Sequence, residues 1–424
     1  MNNFIHSTYS LIDTFFVANI GSMEIAAITF VGPINNLVRA ISDGLAVGGT
    51  SLIAREIGRA DYRKAKSVTI QLLTIAGFLG IIIACISFIF SKEILIAASA
   101  TDSILKSANI YFKLTVLSAP LIFINSAYLA IKRANGDTVK VLIVNLVAMA
   151  VKILLTYIMI FHLGMGIKSL ALSTIVGNVI LTSYGFFDLF LRKTIMTLSM
   201  KFFRFDKKVI LALLLIGVPI IIERSSVSFS FIILNKYVIS YGEKVLAGYG
   251  ITNRINSLFF NIVTGFGTGL VPIISQNLGA NQAERAREGV KKVFFIVIMV
   301  SIVIISIVLP VRHKVAALFA NGDEDVIYHT MNAMGVYSIS VIPWAIFQVV
   351  SGVFQGTGDT KFNLVISVTR IYCFRLPLVI LLSHLSKFEE FSIWYGMLFS
   401  NILTGLFALI LYLKNHTKLK LVGE

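Results

Sequence analysis

Ionisable side chains set inside apolar runs are the first candidates for chemistry in this sequence. There are nine such positions: Asp13, Arg39, Asp43, Lys152, Glu223, Arg224, Arg254, Arg370 and Arg375. In hydrocarbon each is expensive, so each is expected to face a charged partner or a wet cavity. Arg39 and Asp43 lie one helical turn apart and share a face, which suits a structural ion pair and leaves substrate contact as the other reading. Glu223, four residues after Pro219, is the acidic group deep in the second half of the chain. It either attracts cations and titrates or is neutralised by Arg224, Arg370 or Arg375. Arg254 is read as a cavity residue, and Pro219 as a structural one.

The elements that carry these residues are membrane spans. The chain has 424 residues, 57% of them hydrophobic and 14% charged, with mean hydropathy +0.86. A soluble protein of this length needs more polar surface than that. Apolar runs of about 20 residues recur throughout, each long enough to cross a bilayer core as a helix. Twelve spans are predicted, roughly at 3–18, 25–53, 68–90, 110–131, 141–162, 167–190, 209–233, 246–276, 292–310, 331–354, 363–383 and 392–413. The fold class is therefore an all-α polytopic membrane protein. Spans two and eight are long and polar on one side, as expected of helices that line something wet.

The two halves repeat. Val17 matches Val238 at a separation of 221, and the register holds through Gly21/Gly242, Asn35/Asn256, Gly44/Gly265, Gly58/Gly279 and Ala65/Ala286. With one residue of drift, Asn135-Gly-Asp-Thr138 recurs as Thr357-Gly-Asp-Thr360. Duplicated membrane chains commonly bind a solute between their halves and alternate its access. Asn35 and Asn256, matched on the two long spans, are accordingly assigned to substrate or cavity. Residues 1–191 are expected to form one six-helix lobe and 209–424 the other, with 192–208 as the linker and a short basic tail.

The formal net charge of +16 is distributed as topology rather than as a nucleic-acid footprint. Arg55, Arg59, Arg63, Lys64 and Lys66 follow span two, and Arg285, Arg287, Lys291 and Lys292 follow span eight. By the positive-inside rule the linker and both termini face the cytoplasm of a plasma membrane. Cys85 and Cys373 sit at different depths and imply no disulfide; the six histidines lack ligand spacing, so no metal or cofactor is expected. Gly356-Thr-Gly358-Asp359 spells the Gly-x-Gly-Asp of intramembrane aspartyl proteases, but the Tyr-Asp that would supply the second carboxylate is missing. No nucleophile elbow or phosphate-binding loop is present either, which argues against an enzyme and against ATP as the driving force.

Several segments together carry a family resemblance: Leu11-Ile-Asp13-Thr-Phe-Phe-Val17, Gly44-Leu-Ala-Val-Gly48, Ile53-Ala-Arg55-Glu-Ile-Gly58, Arg133-Ala-Asn-Gly-Asp-Thr138, Gly217-Val-Pro219 and Ile274-Ser-Gln-Asn-Leu-Gly279. In this order, over the whole chain, the sequence resembles the multidrug and toxic compound extrusion (MATE) family of cation-coupled antiporters. The resemblance implies two six-helix lobes around a cavity and export of drugs or organic cations against inward protons or sodium ions. The expected partners are small-molecule substrates, the coupling ions and the lipid bilayer, with no nucleic acid, and a monomer is expected. A lipid-linked oligosaccharide flippase of the same wider superfamily is the rival reading, kept open by Arg39, Lys152, Arg254 and Arg370.

By the same resemblance Asp13 stands where the family keeps its coupling carboxylate, unless it is an interfacial residue of a shortened first helix. It lies only twelve residues from Met1, so the first span is expected to be N-terminally truncated and Met1 not to be the native start. Relatives that bind a cation in the first lobe carry Asn-x-x-x-Asp in span five and a later Thr. Here those positions read Lys152, Thr156 and Thr174. An ammonium beside Asp13 would take the place of a metal cation. The expectation is a proton-coupled Asp13–Lys152 pair or a permanent salt bridge. The span-ten aspartate of some sodium-coupled relatives has no counterpart in Met331–Phe354. Asp137 and Asp359, in the repeated Gly-Asp-Thr turns, are expected to be matched structural hinges.

Overall fold

The computed structural model describes residues 16, 22–98, 100, 102–194, 196–199, 201, 205–320, 322–384 and 389–415. The first expected span, with Asp13, lies outside the described residues apart from Phe16. Helices follow one another along the chain: α1 Ser22–Gly58, α2 Tyr62–Ile89, α3 Ser91–Ala97, α4 Asp102–Val116, α5 Ala119–Ala134, α6 Val139–Phe161 and α7 Lys168–Phe186. After a π turn at Phe187–Leu191 come α8 Lys207–Ile239, α9 Glu243–Gly279, α10 Ala283–Phe319, α11 Glu324–Tyr337 and α12 Val341–Thr357. The last are α13 Lys361–Val368, α14 Leu376–His384, joined to α13 through a π-helical stretch Thr369–Arg375, and α15 Phe391–Asn415. Ten helical segments among the described residues are long and apolar enough to cross a membrane, or eleven when the bent pair α4/α5 is one span. Helices are the expected solution, because lipid offers nothing to an unpaired backbone N–H or C=O.

Two findings refine the expected spans. The fourth is not straight: α4 and α5 meet at a 45° bend, where Pro120 cannot donate an N–H and so begins a new helix. Several helices also run far beyond their apolar stretch. Span nine, expected at 292–310, is α10 of 37 residues, about 55 Å at 1.5 Å per residue. Hydropathy registers the part that sits in hydrocarbon, whereas backbone hydrogen bonding continues into the polar ends.

The chain divides into two compact units, Met1–Ile221 and Ile222–Glu424, the division falling within α8. In the first unit α1 crosses α5 at Ala46 and Ala130, both buried. There the Thr50 hydroxyl donates within its own helix to the Ala46 carbonyl and across to that of Ala130, at 2.9 and 3.4 Å. In the same unit the Leu198 N–H donates to the Leu189 carbonyl, and the Asp206 N–H donates to Gln71 Oε1. In the second unit α9 and α12 cross almost backbone to backbone. A Cβ on Gly352 would lie 2.3 Å from the Gly267 carbonyl oxygen. About two turns further along α9, the Ser275 hydroxyl donates to the Gly356 carbonyl at 2.7 Å. Small residues permit this approach, which is how helices gain contact when the solvent is lipid.

Candidate functional site

In the first unit the polar residues concentrate between α6, α7 and α5. Lys152 is 5% exposed, a full ammonium-bearing side chain taken out of solvent on α6. Its stem lies beside Gly177 of α7, where an added Cβ would stand 3.8 Å from Lys152 Cβ. One turn along α6, the buried Thr156 hydroxyl donates to the Lys152 carbonyl at 2.8 Å and to Ser173 Oγ at 2.7 Å. Thr174, the neighbouring residue, instead donates to the carbonyl of Leu170 in its own helix. The structure thus brings Lys152, Thr156 and Ser173 together, with Thr174 adjacent and its hydroxyl hydrogen occupied. A second polar line continues towards α5: Asn125 Nδ2 donates to Asn178 Oδ1 at 3.2 Å, and the Thr182 hydroxyl donates to Asn125 Oδ1 at 2.8 Å.

On α1, Asn35 is half-buried and its Oδ1 accepts from the Thr115 hydroxyl at 3.4 Å. Arg39 and Asp43 are both half-buried one turn apart. Pro219 lies inside α8, next to Gly217, whose added Cβ would meet the Gly44 carbonyl oxygen at 3.0 Å.

The second unit places a different set of charges at its centre. Glu223 on α8 is half-buried, and its Oε1 accepts from the Ser367 hydroxyl at 3.1 Å. Arg370, three residues on from Ser367, is 4% exposed. Its guanidinium stands 4.7 Å from the centre of the Trp344 ring and 5.8 Å from that of Phe347. Arg375 is equally buried, with Nε donating to Ser400 Oγ at 3.3 Å and Nη2 to Asn401 Oδ1 at 2.9 Å. Both arginines belong to the π-helical stretch. Asn256 is wholly buried and accepts from the Ser338 hydroxyl at 2.8 Å, so it forms part of an internal wall. Arg254 lines a cavity of about 270 Å³ with Ala247, Gly250, Ile251, Ile255 and Phe319.

A third constellation escaped the reading of the sequence. The Asp188 carboxylate, buried in the π turn after α7, accepts from Lys132 at 2.8 Å, from Tyr128 at 2.9 Å and from Arg192 at 3.2 Å. Lys132 also reaches Asp137 of the first Gly-Asp-Thr turn at 2.7 Å. Asp188 is a carboxylate inside the apolar run Phe186–Leu191, and that was the available signal. Among the described residues no cluster of three or more His, Cys, Asp or Glu side chains is arranged to hold a metal ion.

The comparisons with known proteins agree over most of the chain. A family model described as MatE matches residues 1–158 and 219–381. The chain is 24% identical over 406 residues to the probable multidrug resistance protein YoeA of Bacillus subtilis (strain 168), covering 93% of this chain and 87% of that one. It is 26% identical over 364 residues to the multidrug export protein MepA of Staphylococcus haemolyticus (strain JCSC1435), covering 85% and 80%. Among solved structures, MATE in complex with MaL6 superimposes with a TM-score of 0.94 at 20% identity, over 99% of this chain and 93% of that one. An outward-facing multidrug resistance MATE family transporter of the MOP superfamily gives a TM-score of 0.93 at 21% identity with the same coverage. These likenesses carry the fold: an all-α membrane architecture of twelve spans in two homologous lobes.

Proposed function

The chain belongs to the MatE family and is a transporter rather than an enzyme, and from that premise we propose that it is a secondary active efflux antiporter of drugs or organic cations driven by inward protons. The relatives named for multidrug resistance and multidrug export support the substrate class. The observation that carries the coupling is Lys152, whose ammonium-bearing side chain is buried in the first unit one turn before the Thr156–Ser173 hydrogen bond. A charge in that position requires a counter-charge, and in this reading it is Asp13. The pair is broken when solvent or substrate reaches it, and the carboxylate then takes up or releases a proton. A resident ammonium leaves no place for a sodium ion between the same groups. In this reading both termini face the cytoplasm, and the transporter acts as a monomer in the plasma membrane, alternating access between its repeats.

The test is counterflow of ethidium in proteoliposomes under separately imposed proton and sodium gradients. The proton gradient alone should drive export, and Lys152→Met and Asp13→Asn should each reduce it at least tenfold. Sodium-stimulated export by the unmodified protein, abolished by Asp13→Asn, would overturn proton coupling. Arg254 on its apolar cavity favours a second reading, translocation of a lipid-linked phosphate-bearing oligosaccharide. Movement of a labelled lipid head group without ethidium export would select it.

A further inference from the structure

In the second unit the central carboxylate is bonded through Ser367 to the helical segment that carries a buried, ring-stacked guanidinium. Glu223 is the one carboxylate in residues 222–424 that lies more than two turns from a helix end among the described helices. It lies on α8 beside the exposed Arg224, and its partner Ser367 stands three residues before Arg370. Arg370 spreads its guanidinium over the face of Trp344, and the Trp344 indole N–H is itself directed to Thr264 Oγ1 at 3.4 Å. Its Nε is buried with no hydrogen-bond acceptor among the described residues. Arg375, by contrast, has Nε and Nη2 engaged by Ser400 and Asn401. Arg375 is held by two side-chain acceptors, whereas Arg370 is stacked on aromatic rings with its Nε unbonded among the described residues. Both arginines lie on the π-helical stretch Thr369–Arg375, a geometry frequent at functional sites.

We propose that Arg370 is a tethered occupant of a cation subsite formed by Glu223, Ser367 and Trp344, and that transported cations displace it. This rests on the efflux reading and sharpens its substrate class. A ligand that replaces a guanidinium on an indole face must be planar and weakly hydrated, such as an aryl or amidine cation. A sodium ion, strongly hydrated and with no face to stack, gains little from Trp344. Arg370 is thus a specificity-determining residue that keeps the carboxylate neutralised when no substrate is present. Both Glu223 and Trp344 are half-buried, so the subsite is within reach of an entering molecule.

The experiment is direct binding to the full chain in detergent. Trp394, the only other tryptophan, is replaced by Phe so that fluorescence reports Trp344 alone. Methylguanidinium is titrated into this background with and without Arg370→Ala, against sodium chloride at equal ionic strength. Removing the tether should tighten methylguanidinium binding at least tenfold and leave the response to sodium unchanged. Adding Glu223→Gln should take that gain away. Equal affinity with and without Arg370, or a gain that survives Glu223→Gln, overturns the proposal. Arg370→Gln is carried in parallel. If neither variant gives monodisperse protein even with methylguanidinium present, Arg370 is a structural counter-ion and the proposal also falls. Binding needs no gradient, so its failure is distinguishable from failure of proton-driven ethidium export.

Discussion

The two Gly-Asp-Thr turns share a left-handed glycine and are closed by opposite chemistry. In both, the glycine adopts a left-handed conformation, with φ of 74° at Gly136 and 87° at Gly358. The first turn is held by Lys132 bridging Asp137 and Asp188. At the position matching Lys132 the second half has Phe354, whose ring packs against Phe362 at 4.9 Å across the turn. The helix crossing behind each turn differs in the same spirit. In the first unit Ala46 and Ala130 are buried and linked through Thr50, whereas their counterparts Gly267 and Gly352 bring two backbones into contact in the second. The loops at Ala60-Asp61 and Asn281-Gln282 make a third pair. Ala60 and Asn281 are both left-handed, at φ 58° and 57°, yet only Asp61 caps the helix that follows. Duplication has therefore preserved where the chain goes while the interactions that hold it there have diverged.

This comparison is most severely tested at the crossing. Gly352→Ala places a methyl group against a carbonyl that cannot rotate aside, so the loss should reach or exceed the top of the roughly 1–3 kcal/mol range for overpacking. Ala130→Gly at the matching position should cost only about 1 kcal/mol, through helix propensity. Thermal unfolding followed by size-exclusion chromatography reads both, and equal losses would mean that the two crossings are energetically alike.

A smaller difference is expected at the turns. Lys132→Met leaves Asp188, 1% exposed in its side chain, with fewer cations, and should destabilise by about 3 kcal/mol. Phe354→Leu keeps most of the apolar contact and should cost about 1 kcal/mol. If transport then falls in step with stability in both variants, the turns are matched supports. A loss of transport in Lys132→Met well beyond its loss of stability would instead give the ion network a role in the cycle.

The loops should show the smallest effects, and these are gains. Ala60→Asn supplies the residue that tolerates the left-handed region, and Gln282→Asp supplies the missing cap. Each should stabilise by about 0.5–1 kcal/mol. The reverse exchange, Asn281→Ala, should destabilise by a similar amount. No change in melting temperature for either gain would mean that neither loop contributes at its helix end.

Much of this organisation was legible before any coordinates. Apolar runs of bilayer length dictate helices, because the backbone has no other way to satisfy itself in lipid. The 221-residue repeat located the matched turns, and charges inside apolar runs singled out Lys152, Glu223, Arg370 and Arg375. Other features depended on contacts between residues distant in sequence. The Thr156 hydroxyl chooses Ser173 rather than Thr174 because of the rotation of α7 about its axis, which spacing along one helix does not reveal. Asp188 meets Lys132 only because the π turn after α7 lies beside the end of α5. Arg370 and Arg375 look equivalent in the sequence. Three-dimensional packing gives one an indole face and the other two fixed acceptors, and that decides which of them can move. Composition and periodicity thus determined the solvent, the helices and the duplication. Tertiary packing decided the partners, since a buried charge is defined by the groups the fold brings within about 4 Å of it.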